Sequence, residues 1–137
     1  MKSSIPLKAL LIVSGLIGIA IGSSLLFTPV SFEASAGITL GTDINLLSEI
    51  RAPSGVLLIG GIVILLGAFV SKLTDIAIIL SGLIYTTYGL SRLVGIFFDG
   101  LPNEPLLMAM IVEFVIGSIS LTVLVFRLRN KKGVWLH

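Results

Sequence analysis

The sequence predicts an all-α fold: an integral membrane four-helix bundle with both termini in the cytoplasm. Three observations carry this expectation. Charged residues make up 12% of the chain and apolar residues 55%, whereas a soluble domain carries about 25% charged residues. Lipid rather than water must therefore solvate most of the surface. Four apolar runs are each close to the length that crosses a hydrocarbon core as a helix, about 20 residues. The basic residues gather on one side of those runs, as they do where a chain is retained on the cytoplasmic face.

Taken in order, the runs place helices over residues 7–27, 53–70, 76–98 and 106–126, in a single transmembrane domain spanning residues 1–137. Lys8 stands near the entrance of the first. Lys2, Lys8, the apolar run and Ala34-Ser35-Ala36 together imitate a signal peptide with its cleavage site. The run is longer than the usual apolar region of such a peptide, so it is read as a retained helix. Turn signals follow at Thr28-Pro29, at Ser71 to Asp75, and from Asp99 through Gly100, Pro102 and Asn103 to Pro105. The two short connections make the second, third and fourth helices antiparallel neighbours. The runs are continuous rather than alternating in polarity, which excludes a barrel.

With the termini on one side, Lys2, Lys8, Lys72, Arg127, Arg129, Lys131 and Lys132 share that side. Glu33, Asp43, Glu49, Asp99, Glu104 and Arg51 occupy the other. The first side is expected to be cytoplasmic, with Trp135 in the basic tail placed either as an interfacial anchor or in plain solvent. The outer loop, residues 28–52, has mixed polarity and reads either as a connector or as a lid over the mouth of the bundle. Thr42 or Asp43 can cap a short helix leading into the second span, and Pro53 suits a helix start, or a kink if the helix begins earlier.

Composition closes several chemistries. There is no cysteine, and the one histidine is His137. Thiolate chemistry is therefore absent, and bis-histidine haem, histidine-ligated metal and histidine base catalysis lack the imidazoles they need. No cofactor, no metal site and no catalytic residue is expected. Without a basic face interleaved with aromatics, no nucleic acid is expected either.

Ionisable groups inside a membrane normally face inward and find partners. Arg92 lies about six residues from the outer end of the third helix and Glu113 about seven from that of the fourth, so both stand about 10 Å deep at 1.5 Å per residue. Antiparallel neighbours bring them level as a pair. Ser81, Tyr85, Tyr88 and Arg92 recur at helical spacing on one face, as do Met110, Glu113, Gly117 and Ser120 on the next helix. Glu49 and Arg51, just before Pro53, add opposite charges near the same level. The expected ligand-binding or intramembrane polar cluster is Glu49, Arg51, Tyr85, Tyr88, Arg92 and Glu113. Its bland alternative is a set of contacts that only fixes helix register. Gly15, Gly18 and Gly22 on one face, with Gly60, Gly61 and Gly67 on the second helix, suit close helix packing more readily than a homodimer seam.

The order of several motifs resembles a family of small bacterial membrane proteins known as a domain of unknown function, number 4345. The motifs are Ser48-Glu49-Ile50-Arg51-Ala52-Pro53-Ser54-Gly55, Leu66-Gly67-Ala68-Phe69, Gly89-Leu90-Ser91-Arg92-Leu93, Asp99-Gly100-Leu101-Pro102 and Val112-Glu113-Phe114. The resemblance implies four helices in a bacterial cytoplasmic (inner) membrane. It also implies that Glu49, Arg51, Gly55, Arg92, Asp99, Gly100, Pro102 and Glu113 are characteristic positions. Ser54 departs from the glycine often found there. It brings no activity. A more distant likeness to DoxX-like four-helix proteins is an analogy of fold alone.

Three functional readings follow. The first is a binding or accessory module that holds a lipid-like or amphiphilic ligand, or docks on a larger membrane complex, through the outer Glu/Arg/Tyr cluster. Its partners are membrane lipids and a homodimer or larger assembly. The second is a dimeric proton-coupled transporter, disfavoured by the lack of an inverted repeat. The third is a lipid-modifying membrane enzyme, disfavoured by the lack of a metal motif, nucleophile elbow or phosphate loop.

Overall fold

The computed structural model describes residues 4–134, so Lys2, Trp135 and His137 lie outside the described residues. Among those residues there are five helices and no strand: α1 (Ile5–Phe27), α2 (Pro29–Ser35), α3 (Ile44–Gly67), α4 (Thr74–Asp99) and α5 (Glu104–Val134). Helices α1, α3, α4 and α5 are long and apolar enough to cross a membrane.

Local chemistry fixes the helix ends. The Leu7 N–H donates to the Ser4 side chain at 3.3 Å, which caps α1. Asp43 caps α3 by accepting from the Asn45 N–H at 2.9 Å. Between α3 and α4 a single 3-10 turn, Ser71–Leu73, reverses the chain, and the Thr74 hydroxyl donates back to the Gly67 carbonyl at 2.8 Å. Helix α4 stops at Gly100, whose φ of 98° lies in the left-handed region that glycine adopts without strain.

Three expectations are corrected here. The outer loop expected over residues 28–52 is not a loop: it holds all of α2 and the first turns of α3. Pro53 lies inside α3 rather than at its start. The helix runs through it because Asp43 has already nucleated the preceding turns, while Ser54 turns its hydroxyl back onto the Ile50 carbonyl. Beyond residue 126, the basic tail continues α5 as helix to Val134. Arg127 and Lys131, one turn apart on that extension, both hold Asp75 of α4. The Arg127–Asp75 contact is 2.7 Å.

The bundle consists of two tight antiparallel pairs. In the first, α1 and α3 touch backbone to backbone: the Cβ that Gly18 lacks would stand 3.1 Å from the Gly61 Cα. In the second, α4 and α5 approach at Gly117, where an added Cβ would meet the Thr86 backbone nitrogen at 2.8 Å. Contacts between α3 and α4 join the pairs, whereas α1 scarcely touches α5. The stripe Gly15, Gly18 and Gly22 is thus occupied by α3 of the same chain, which leaves no seam there for a second copy.

The core lies at the end marked by Lys72, where Leu7, Leu11, Ile64, Ala68, Ala77 and Ile78 are buried together. Toward the opposite end, marked by Phe27 and Asp99, a cavity lined by both pairs replaces this core.

Candidate functional site

A cavity of about 580 Å³ lies between the two helix pairs. Its apolar wall comes from Ile17, Ile21 and Leu25 of α1, Leu57 of α3 and Ile84 of α4, with Leu106, Met108 and Val112 of α5. Met108 and Val112 keep exposed surface, and α1 and α5 scarcely touch. Helix α2 and the residues after it cover the end of the bundle, contributing Phe32, Glu33, Ser35, Ala36 and Ile38 to the lining.

Asn103 fastens this cover. Its side-chain amide donates to the Ala36 carbonyl at 2.6 Å, and its backbone carbonyl accepts the Leu107 N–H at 3.1 Å in the first turn of α5. One residue thereby ties the α2–α3 connection to the start of α5.

The inward face of α4 runs from the core into this space. Ser81 meets Ser120 of α5 at 2.8 Å, both fully buried. Tyr85, one turn further, is 4% exposed and donates its hydroxyl to the Ser14 carbonyl of α1. Its ring lines the cavity, but its hydroxyl is already engaged. Tyr88 and Arg92 follow and both line the cavity.

The Arg92 Nε lies 2.8 Å and 3.1 Å from the two carboxylate oxygens of Glu113. The matched depths read from the sequence do bring these two groups together. The Glu113 side chain is 12% exposed and that of Arg92 33%, so the carboxylate is more enclosed than the guanidinium. No hydrogen bond from the terminal nitrogens of Arg92 is found among the described residues.

Glu49 and Arg51 do not join this group. Because α3 begins at Ile44, both lie within a helix, where residues two apart point to different sides and cannot pair. Glu49 is exposed and lines no part of the cavity. Arg51 donates to the Leu26 carbonyl, one of the acceptors left open in the last turn of α1.

The sequence reading missed Glu33 and Asp75. Glu33 follows Thr28-Pro29, a pairing that marks a helix start as readily as a turn. Read that way, it places a carboxylate on a helix over the bundle mouth. Asp75 sits in the first turn of α4, opposite the basic extension of α5. Among the described residues no group of three or more acidic or imidazole side chains could hold a metal ion.

Comparison with known proteins adds the family. The model of a family described as a domain of unknown function, DUF4345, matches residues 6–124. The chain belongs to this family. The DUF4345 match spans all four long helices and the α2 cover, and reaches from the first turn of α1 to Leu124 of α5. No curated protein and no solved structure matches the chain.

Proposed function

We propose that this DUF4345 protein is a multi-pass protein of the bacterial cytoplasmic membrane that binds an amphiphilic molecule in the cavity under α2. The observation that carries the reading is the cavity itself: about 580 Å³, apolar along α1 and α5, with Tyr88, Arg92 and Glu113 gathered at one part of its wall. Small-molecule sites combine mostly apolar walls with a few convergent polar groups, in volumes of roughly 300–1,000 Å³. The cavity wall along α1 and α5 is apolar and these two helices scarcely touch, which favours a ligand that arrives from the bilayer over one that arrives from water. The bundle has no separate soluble domain in residues 4–134, which fits a holding or accessory role.

Native mass spectrometry of the protein in mild detergent tests this. The wild type is expected to retain a lipid-like adduct. Ala109→Trp, which fills the cavity from the α5 side, is expected to lose it while keeping the helical fold. Equal adducts in both would remove the cavity as the binding site.

The proposed orientation puts Lys8, Lys72, Arg127, Arg129, Lys131 and Lys132 in the cytoplasm and α2 outside. The chain has no cysteine, so single substitutions report cleanly. Asp99→Cys is expected to react with an impermeant maleimide on intact cells, and Lys72→Cys only after permeabilisation. The reverse pattern would invert the topology.

A further inference from the structure

The three formally charged side chains that line the cavity are Glu33, Arg92 and Glu113. Arg92 and Glu113 offset each other through the paired contacts at 2.8 Å and 3.1 Å. Glu33 is left over, so the cavity carries one uncompensated negative charge.

Nothing in the fold uses that carboxylate. Glu33 is half-buried, and its side chain enters none of the ion pairs among the described residues, nor any hydrogen bond found there. Only its backbone carbonyl is engaged, accepting the Ala36 and Ile38 N–H groups at 3.0 Å and 2.9 Å. Nor does it serve its own helix. It stands two residues from the end of α2, and the C-terminal end of a helix disfavours a negative charge. A carboxylate kept at such a position, without a partner and facing a cavity, awaits a positive charge from elsewhere.

The same cavity is lined by three aromatic residues, Phe32 on α2 with Tyr85 and Tyr88 on α4. A cavity that holds a free carboxylate together with aromatic rings suits an ammonium group, because ring faces attract cations and reject anions. An anionic head group would have to lie in the same cavity as the unpaired Glu33, and although the terminal nitrogens of Arg92 remain open to it, the charge of that guanidinium is already offset by Glu113. We propose that the ligand of this cavity is a cationic amphiphile, with its ammonium head between Glu33 and the aromatic rings and its chain along the α1 wall of Ile17, Ile21 and Leu25. The inference rests on the amphiphile-binding reading above and names the class of head group.

The test compares two probes of equal chain length, dodecyltrimethylammonium and dodecanoate. Each is titrated into the full-length protein in a non-ionic detergent and scored by native mass spectrometry. A quaternary ammonium has no N–H to donate, but its attraction to a carboxylate and to ring faces changes affinity by about tenfold, so the wild type is expected to retain the ammonium probe about ten times more strongly. Glu33→Gln, nearly the same in shape, is expected to bring the probes to parity at an unchanged melting temperature. Glu33→Lys is expected to reverse the preference. Parity or a preference for dodecanoate in the wild type would overturn the cationic class while leaving the amphiphile site intact, as would an ammonium preference that survives Glu33→Gln. Retention of neither probe by the wild type would take down the amphiphile reading as well.

Discussion

Valine at position 22 is expected to cost the bundle about 3 kcal/mol or more, the upper end for overpacking a closed interface. A Cβ on Gly22 would stand 2.6 Å from the Leu58 nitrogen and 2.9 Å from its Cα, and both obstructing atoms are backbone. A flexible side chain could swing aside, whereas a helix backbone can yield only by moving the whole of α3 away. The opposing glycine is equally constrained, since a Cβ on Gly61 would meet the Ile19 nitrogen at 2.7 Å. Between lipid-solvated helices, association depends on such close packing because burying apolar surface gains little. Displacing α1 from α3 also moves Ile21 and Leu25, so the cavity wall should lose its shape along with the stability. Gly95→Ala is the matched control. Nothing lies within 4 Å of its added Cβ, and helix propensity favours alanine over glycine by about 1 kcal/mol. Reversible unfolding in mixed micelles should separate the two variants clearly. Equal midpoints would mean that the α1–α3 contact does not hold the pair together.

The long helices were legible because a membrane leaves the backbone few options. About twenty apolar residues without water must satisfy their own N–H and C=O groups, and a helix does so within one segment. The same constraint made the Ser81, Tyr85, Tyr88 and Arg92 stripe readable, since polar groups spaced by a helical turn in an apolar run have only the bundle interior to face. What escaped lies where water returns. Residues 28–52 mix polar and apolar residues without a clean period, so the seven-residue α2 and its Glu33 left little trace beyond Thr28-Pro29. Pro53 misled for a different reason. Its restriction on the preceding residue is a bias, and the Asp43 cap with the turns after it outweighed that bias. Glu49 and Arg51 therefore joined the predicted cluster only because α3 was started nine residues too late. Depth along a helix placed Arg92 against Glu113 correctly, while the face of a helix whose start was misjudged could not be assigned.

Removing one partner of the Arg92–Glu113 pair is expected to cost more than removing both. Glu113→Leu leaves a guanidinium, which stays charged in any protein environment, about 10 Å below the end of the bundle. Breaking a buried pair costs about 3–5 kcal/mol. Arg92 is one-third exposed and its long side chain can turn outward, so about 2–3 kcal/mol is expected here. Arg92→Leu leaves the Glu113 carboxyl, 12% exposed, without its donor and should cost a similar amount. The double Leu variant replaces the pair by apolar groups of similar reach and should recover about 3 kcal/mol of the summed loss, the upper end of the range for contacting residues, which leaves it no less stable than either single variant. Additive losses would mean that the two side chains meet without depending on each other. The same three variants separate a register device from part of a binding site. A pair that only aligns α4 with α5 becomes dispensable once both charges are gone, and the bound adduct should then return with the stability. If the pair also offsets charge beside the ligand, as the cavity lining implies, the double variant should unfold no earlier than either single variant and still lose the adduct. That split between recovered stability and lost ligand is the expected result, because both groups border the cavity as well as each other.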